Sequence, residues 1–129
     1  MTPINPPDIT APLGHYTHGI LVPGNHAWLH VAGQVGVAPD GTVPASIEEQ
    51  ARLCWDNLTA VLRAAGMGVE HLVKTTVLLV DSADLPAFAA VRSAVLGDHR
   101  PASTVFIVAG LARPEWRVEI EAVAARPSP

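Results

Sequence analysis

The chain has 129 residues, of which 49% are apolar and 16% are charged, and its formal net charge is -4. This length suits one domain over residues 1–129, and so few charges favour a surface that another subunit covers. The eight basic residues are scattered along the chain rather than clustered. Composition therefore excludes a basic stripe for nucleic acid and predicts an oligomer.

Both ends of the chain lack the pattern of a helix or a strand. Residues 1–13 contain four prolines, which predicts an extended arm, and residues 126–129 are expected to fray. The sequence shows neither a basic, apolar leader nor an apolar run near the ~18 residues of a membrane span. These observations predict a cytoplasmic protein with no membrane partner.

Two β-prone segments follow the arm. They are residues 16–22 and 27–33, joined by Pro23-Gly24-Asn25-His26. Proline presets one turn dihedral and glycine supplies a positive φ, so we predict a hairpin. Asp40-Gly41 indicates a further turn.

The first helix is predicted to begin after Ser46, because Ser46 and Glu49 have the spacing of a capping box. Gly66 can adopt the left-handed conformation that ends a helix. Between them, apolar residues recur every three or four positions and form one buried stripe. The stripe comprises Ile47, Ala51, Cys54, Leu58, Val61, Leu62 and Ala65.

A strand and a second helix come next. Residues 72–80 are rich in β-branched residues and apolar on both sides toward their end, as in an interior strand. Asp84 is a candidate N-cap, Pro86 fits the first helical turn, and Gly97 can end the helix. The buried stripe of this helix is predicted to be Leu85, Phe88, Val91 and Val95.

Two final strands, residues 102–109 and 116–124, complete the order ββαβαββ. The pattern predicts an α+β domain with a mixed sheet and two helices on one face. The other face would then be too apolar for water, and a partner subunit would cover it. On the predicted alternation this open face carries Glu119, Glu121, Ser103, Val105 and Ile107.

Glu119 is the residue best suited to catalysis. A carboxylate in a partly desolvated cleft has a raised pKa and can hold or activate a water. The alternative is a solvated ion-pair ladder, because Arg117 shares the predicted face of Glu119. Ser103 lacks the Gly-x-Ser-x-Gly motif of a nucleophile, so a strand serine is the simpler interpretation.

No metal or cofactor is predicted. Of the six histidines, only His15, His18 and His30 are near enough in a hairpin to form a metal site, and none has a zinc-type spacing. No glycine-rich loop precedes a helix, so nucleotide binding is unsupported. Cys54, the only cysteine, lies on the buried helix stripe and is expected to be an inert thiol.

Seven short stretches, in order from residue 11 to 124, together resemble the RidA family, also called the YjgF or L-PSP family. They are Ala11-Pro12-Leu13-Gly14-His15-Tyr16, Val31-Ala32-Gly33-Gln34-Val35, Ile47-Glu48-Glu49-Gln50-Ala51, Asn57-Leu58, Val73-Lys74-Thr75-Thr76-Val77, His99-Arg100-Pro101-Ala102 and Val118-Glu119-Ile120-Glu121-Ala122.

This resemblance implies a chorismate-mutase-like fold and a homotrimer with clefts between neighbouring subunits, in which reactive enamines and imines are hydrolysed. Glu119 matches the glutamate that positions the attacking water, and Tyr16 and Gly33 match cleft positions. The family arginine that grips the substrate carboxylate is replaced by Ser103. Arg100, before a proline at the strand's start, is predicted to point to the opposite face.

We therefore hypothesise a trimer whose clefts bind a small molecule that is not a simple 2-imino acid, with Glu119 holding the water. The alternative is a binding or chaperone-like module without turnover. The ribonuclease activity sometimes attached to the family name is not favoured by an acidic chain. The residues expected to contact the ligand are Tyr16, His30, Ala32, Gly33, Ser103, Val105 and Arg117.

Overall fold

The computed structural model describes residues 1–129 and contains six strands and two helices. Short 3-10 turns lie at Val69–His71 and Ser82–Asp84. Neither helix is long and apolar enough to cross a bilayer. The elements are β1 (Thr2–Ile4), β2 (Gly19–Leu21), β3 (His26–Val35), α1 (Ile47–Ala64), β4 (Leu72–Leu79), α2 (Leu85–Leu96), β5 (Ala102–Ile107) and β6 (Val118–Pro127).

The main sheet is mixed and has the strand order β3-β6-β4-β5. β6 is antiparallel to both of its neighbours, whereas β4 and β5 run parallel. Alternate residues of β6, Val118, Ile120 and Ala122, are buried in one core with both helices. The predicted α+β class, with two helices on one face of a mixed sheet, is confirmed.

α1 forms where the sequence predicted it. The Ser46 hydroxyl accepts a hydrogen bond from the Glu49 amide at 3.1 Å, and Gly66 has a φ of +70°. The Met67 amide then donates to the Leu62 carbonyl at 2.9 Å, which satisfies one free carbonyl of the last turn. Five of the seven stripe residues are buried, Val61 and Ala65 are partly buried against the core, and Trp55 on the same helix stacks on Phe88 of α2.

Two amide side chains fasten α1 to the loops around it. The buried Gln50 donates to the carbonyls of Pro44 and Glu115 and accepts from the Arg117 amide. Asn57 donates to two carbonyls of the segment that follows Gln34, those of Val35 and Val37. Buried polar groups that are fully bonded in this way fix the ends of β3 and β6 against the helix.

The predicted hairpin between the first two β-prone segments is wrong. β2 pairs with β1, and β3 pairs with β6 on the far side of the sheet. Thr17 explains the difference, because its amide donates to the Pro101 carbonyl and its hydroxyl to the Arg100 carbonyl. These bonds hold the start of the chain beside β5, so residues 22–25 cross the end of the sheet instead of closing a hairpin.

The two chain ends are also more regular than predicted. Part of the predicted arm is β1, which adds a strand to the predicted order. β6 continues to Pro127, and the Ser128 amide donates to the Asn25 carbonyl at 2.8 Å. Since β3 already begins at His26, it offers pairing partners for a segment that the sequence alone suggested would fray.

Candidate functional site

The residues predicted to form one site lie on two different faces of the sheet. Val77 of β4 pairs with Ile120 on one side and Val105 on the other. Residues that pair across a sheet share a face, so Val105 lies on the helix-covered face with the buried Ile120. Glu119, one residue away, pairs with Leu78 and lies on the open face.

The predicted placement of Ser103, Val105 and Ile107 beside Glu119 is therefore wrong. Thr104 and Phe106 occupy the open face instead, and Phe106 is half exposed. Alternation within one strand is visible in the sequence, but the relative phase of two strands depends on their register. That register is set by β4, which lies between β5 and β6.

On the helix-covered side, α2, β5 and the segment before β2 enclose a cavity of about 420 Å³, here called the helix-side cavity. Apolar side chains make up much of its wall, although Leu13 and Leu85 are exposed to solvent, and its polar groups come from three separate elements. It brings together three of the predicted ligand contacts, Tyr16, Ser103 and Val105. The lining residues are Leu13, Gly14, Tyr16, Leu85, Ala89, Arg92, Ser103 and Val105.

The two hydroxyl groups of this cavity are each held by one hydrogen bond. Thr75, a buried residue of β4, donates to the Ser103 hydroxyl oxygen at 2.9 Å. The Leu13 amide donates to the Tyr16 hydroxyl oxygen at 3.3 Å. Because both oxygens act as acceptors in these bonds, both hydroxyl protons can be donated to a ligand.

Arg92 of α2 is the one charged residue of the helix-side cavity, and the sequence analysis missed it. Only 8% of its surface is exposed, and its Nε is buried without a hydrogen-bond partner. Its guanidinium carbon lies 5.7 Å from the ring centre of Phe88. Burial lowers the pKa of this guanidinium. A sequence signal existed, since Arg92 follows Phe88 by four residues and so falls on the same helix face as that buried ring, whereas Leu85, predicted to be buried, is exposed.

Glu119 and Gly33 form a second group on the open face, here called the Glu119 half-site. A register shift between Val31 and Gln34 places Ala32 and Gly33 in a bulge of β3. A methyl group built on Gly33 would lie 2.7 Å from the carboxyl carbon of Glu119. The carboxylate therefore rests directly on the backbone at Gly33, where no side chain larger than hydrogen fits without moving it.

His30 and Ala32 lie on the open face but do not line the helix-side cavity. They border a separate cavity of about 430 Å³, together with Lys74, Thr76 and Glu121. Lys74 donates to the Thr104 hydroxyl in this region. The open face also exposes Trp28, with 52% of its surface accessible. The structure thus divides the predicted contacts between two surfaces.

Arg117 contacts neither cavity. It forms an ion pair with Asp84, with nitrogen to oxygen distances of 2.7 and 3.2 Å, and donates to the Ala45 carbonyl. The prediction that Arg117 shares the face of Glu119 is wrong, because β6 begins at Val118 and strand alternation does not extend to Arg117. Asp84 precedes α2 as predicted but caps nothing, because its carboxylate binds Arg117.

The histidines do not gather into a group. His15 and His18 bind the backbone carbonyls of His99 and Thr10, while His30 lies on the open face. No cluster of three or more His, Cys, Asp or Glu side chains occurs. Cys54 is buried beneath β6 and donates weakly to the Val118 carbonyl.

The chain is similar in sequence and in structure to proteins of one family. The model of the Endoribonuclease L-PSP family matches residues 8–126. A 2-iminobutanoate/2-iminopropanoate deaminase from Escherichia coli strain K12 is 38% identical over 120 residues, 90% of this chain and 91% of that protein. The structure of YyfB, a Rid family protein from Yersinia pestis, has a TM-score of 0.85 and 29% identity over 97% of this chain and 98% of that one. E. coli TdcF, solved with bound serine, has a TM-score of 0.72 and 30% identity over 98% and 99%.

Proposed function

Given that the chain belongs to the Endoribonuclease L-PSP family, the RidA/YjgF family, we propose that it is a homotrimeric hydrolase of small imines or enamines. Its sites are clefts between neighbouring subunits. Each cleft combines the helix-side cavity of one chain with the Glu119 half-site of the next. Two related proteins named as deaminases of 2-imino acids, from E. coli and rat, support this reaction class.

The observation that carries the proposal is the separation of the two groups within one chain. The helix-side cavity is not lined by Glu119, and Ser103 and Glu119 lie on opposite faces of the sheet. A site that uses both groups therefore needs two chains. The open face carries half-exposed Trp28 and Phe106, which a partner subunit would cover.

The proposed chemistry is addition of water to a carbon-nitrogen double bond. Glu119 accepts a proton from the water as the water oxygen bonds to the imine carbon, and this proton is passed on to the nitrogen as the carbon-nitrogen double bond becomes single. The hydroxyl proton of the resulting carbinolamine is transferred to the nitrogen in the same way, and ammonia leaves as the carbon-oxygen double bond forms. The product is a carbonyl compound, so a 2-imino acid would give a 2-oxo acid and ammonia.

Ser103 changes what the cleft offers a substrate. A neutral hydroxyl gives a hydrogen bond worth about 1 kcal/mol, whereas each bond of a charged, two-pronged arginine contact is worth about twice that. An arginine also fixes the orientation of a carboxylate. We expect turnover of simple 2-imino acids to be weaker than in relatives that carry the arginine on this strand.

The test is ammonia release from freshly generated 2-iminopropanoate and 2-iminobutanoate, measured beside an arginine-bearing relative and a neutral imine. We expect turnover above the uncatalysed rate, with kcat/KM for the imino acids below that of the relative. Equal kcat/KM would contradict the role given to Ser103. If no imine is hydrolysed faster than the uncatalysed rate, in a sample shown by light scattering to be trimeric, the proposed hydrolase activity is contradicted.

A second candidate function is ligand binding without turnover. The helix-side cavity of one chain contains hydroxyls and a guanidinium but no carboxylate or imidazole, so it can bind without a catalytic base. Unchanged ligand affinity in Glu119→Gln, with no reaction across imine and carbonyl panels, would favour this function. Ribonuclease activity is disfavoured by the net charge of -4. A cytoplasmic location stays a prediction.

A further inference from the structure

Arg92 is a buried charge whose partner the chain does not supply. It makes no ion pair and no hydrogen bond, although a guanidinium carries five N–H donors. The nearest aromatic ring, Phe88, lies one helical turn earlier and packs against it at 5.7 Å. Only Nε is fully buried, so the two terminal nitrogens stay accessible, and a cation held in this way is stabilised when water or an anion reaches them.

The position of Arg92 indicates where such an anion would bind. Arg92 lines the helix-side cavity together with Tyr16 and Ser103, whose hydroxyl protons are free for a ligand. A methyl group built on Gly14 would lie 3.7 Å from Nη2 of Arg92, so the chain passes close to the guanidinium without a side chain in between. The cavity can therefore admit a small group between α2 and β5.

We infer that Arg92 is the anion-binding residue of this protein and that it binds the carboxylate of a small monoanionic ligand. The inference rests on the proposed function and deepens it by naming the residue that binds the substrate. The planar guanidinium matches a carboxylate through two parallel hydrogen bonds. Ser103 and Tyr16 donate to the remaining polar atoms of the ligand.

The lining of the cavity restricts the ligand further. Arg92 is its single charged residue, so one negative charge is balanced and a second is not. Leu13, Leu85, Ala89 and Val105 provide an apolar wall, which suits a short alkyl chain. Small 2-imino and 2-oxo acids have these properties, so Arg92 removes the reason, based on Ser103 alone, to expect a ligand other than a simple 2-imino acid.

Arg92 does not replace an arginine on β5, because its guanidinium reaches the cavity from α2. A carboxylate bound to Arg92 therefore lies at a different place from one bound to an arginine at position 103. Binding of 2-imino acids is then retained, while the imine carbon is less well aligned with the water held by Glu119 of the neighbouring chain. The inference thus predicts that, for these substrates, KM is similar to that of an arginine-bearing relative and kcat is lower.

The experiment measures binding of 2-oxobutanoate, the unreactive product of 2-iminobutanoate hydrolysis, by calorimetry. Loss of a charged two-pronged contact in Arg92→Gln is expected to weaken binding about 10- to 100-fold. Arg92→Lys should recover only part of the affinity, because lysine keeps the charge and loses the fork. The exposed Arg63 near the end of α1 provides a matched control, and Arg63→Gln should bind like the wild type.

A second measurement on the wild type avoids dependence on folded variants. The neutral amide 2-oxobutanamide has nearly the same shape as 2-oxobutanoate, and we expect it to bind at least about tenfold more weakly. Equal affinity of acid and amide, or unchanged affinity in Arg92→Gln, would overturn the inference. So would a change of oligomeric mass in Arg92→Gln, since Arg92 would then pair with a partner chain. Because binding is read without turnover, these results are independent of whether the imine assay succeeds.

Discussion

The helix-side cavity and the Glu119 half-site lie on opposite faces of the sheet and differ in the side chains they contain. The first is an open cavity between α2 and β5 with a largely buried cation, two hydroxyl groups and apolar side chains. The second is one carboxylate on the open face of the sheet, resting on the bare backbone of Gly33. The first has the groups needed to bind and orient a small anion, and the second has the group needed to activate water.

This difference suggests that binding and chemistry can be disturbed separately. Substitutions in the helix-side cavity should change ligand affinity, whereas substitutions in the Glu119 half-site should change turnover at constant affinity. If the helix-side cavity and the Glu119 half-site meet only between subunits, turnover also requires assembly of the proposed trimer. The following predictions test this division, beginning with the largest effect.

Glu119→Gln is expected to lower kcat for imine hydrolysis by about 10²- to 10⁴-fold, because an amide cannot accept the proton of the attacking water. Affinity for 2-oxobutanoate should stay within about twofold, as the carboxylate is not part of the helix-side cavity. Ammonia release and calorimetry measure the two quantities. Glu115→Gln, an exposed glutamate outside both groups, is the control and should resemble the wild type. A parallel loss of affinity would contradict the division.

Gly33→Ala is expected to lower kcat by about 10- to 100-fold without unfolding the protein. The added methyl group would meet the carboxyl carbon of Glu119 at 2.7 Å. The carboxylate is the far end of a flexible side chain, so it moves and the water it holds is misplaced. Gly24→Ala, where a methyl group meets nothing within 4 Å, serves as the control. Full activity in Gly33→Ala would show that the position of Glu119 does not matter.

Asp84→Asn is expected to lower stability by weakening the ion pair that connects the start of α2 with the start of β6. Asp84 precedes α2, which carries Arg92, and its partner Arg117 precedes β6, which carries Glu119. Asparagine removes the charge but retains one acceptor, so the free energy of unfolding should fall by about 1–2 kcal/mol. The melting temperature should fall by about 3–8 °C. The exposed Asp98→Asn, measured at the same protein concentration, should melt like the wild type.

Much of the fold was predictable because its signals are local. The cap at Ser46, the turn glycines and the stripe of α1 depend on residues within a few positions of one another. The failed hairpin depended instead on Thr17, whose partners Arg100 and Pro101 lie more than 80 residues away. Local turn chemistry between β2 and β3 contains no information about such a contact.

The site was predictable only in part for a similar reason. Alternation within β6 correctly separated Glu119 from the buried Ile120, but the phase of β5 relative to β6 required the register through β4. Arg92 was missed because the stripe of α2 was read from apolar residues alone. A charged residue four positions after Phe88 was the available signal, and its meaning depends on the cavity that the fold creates.

The smallest expected effect is at Cys54, which lies in the helix layer beneath the strand that carries Glu119. Burial, and secondarily the charge of Glu119, raises the pKa of this thiol to about 12, so at pH 8 only about one thiol in 10⁴ is ionised. The native protein should therefore not react with a thiol reagent at pH 8, while the unfolded protein reacts fully. Glu119→Gln removes the lesser cause and should leave the native thiol unreactive. Rapid labelling of the native protein would contradict this prediction and would mean that the layer between α1 and the sheet opens.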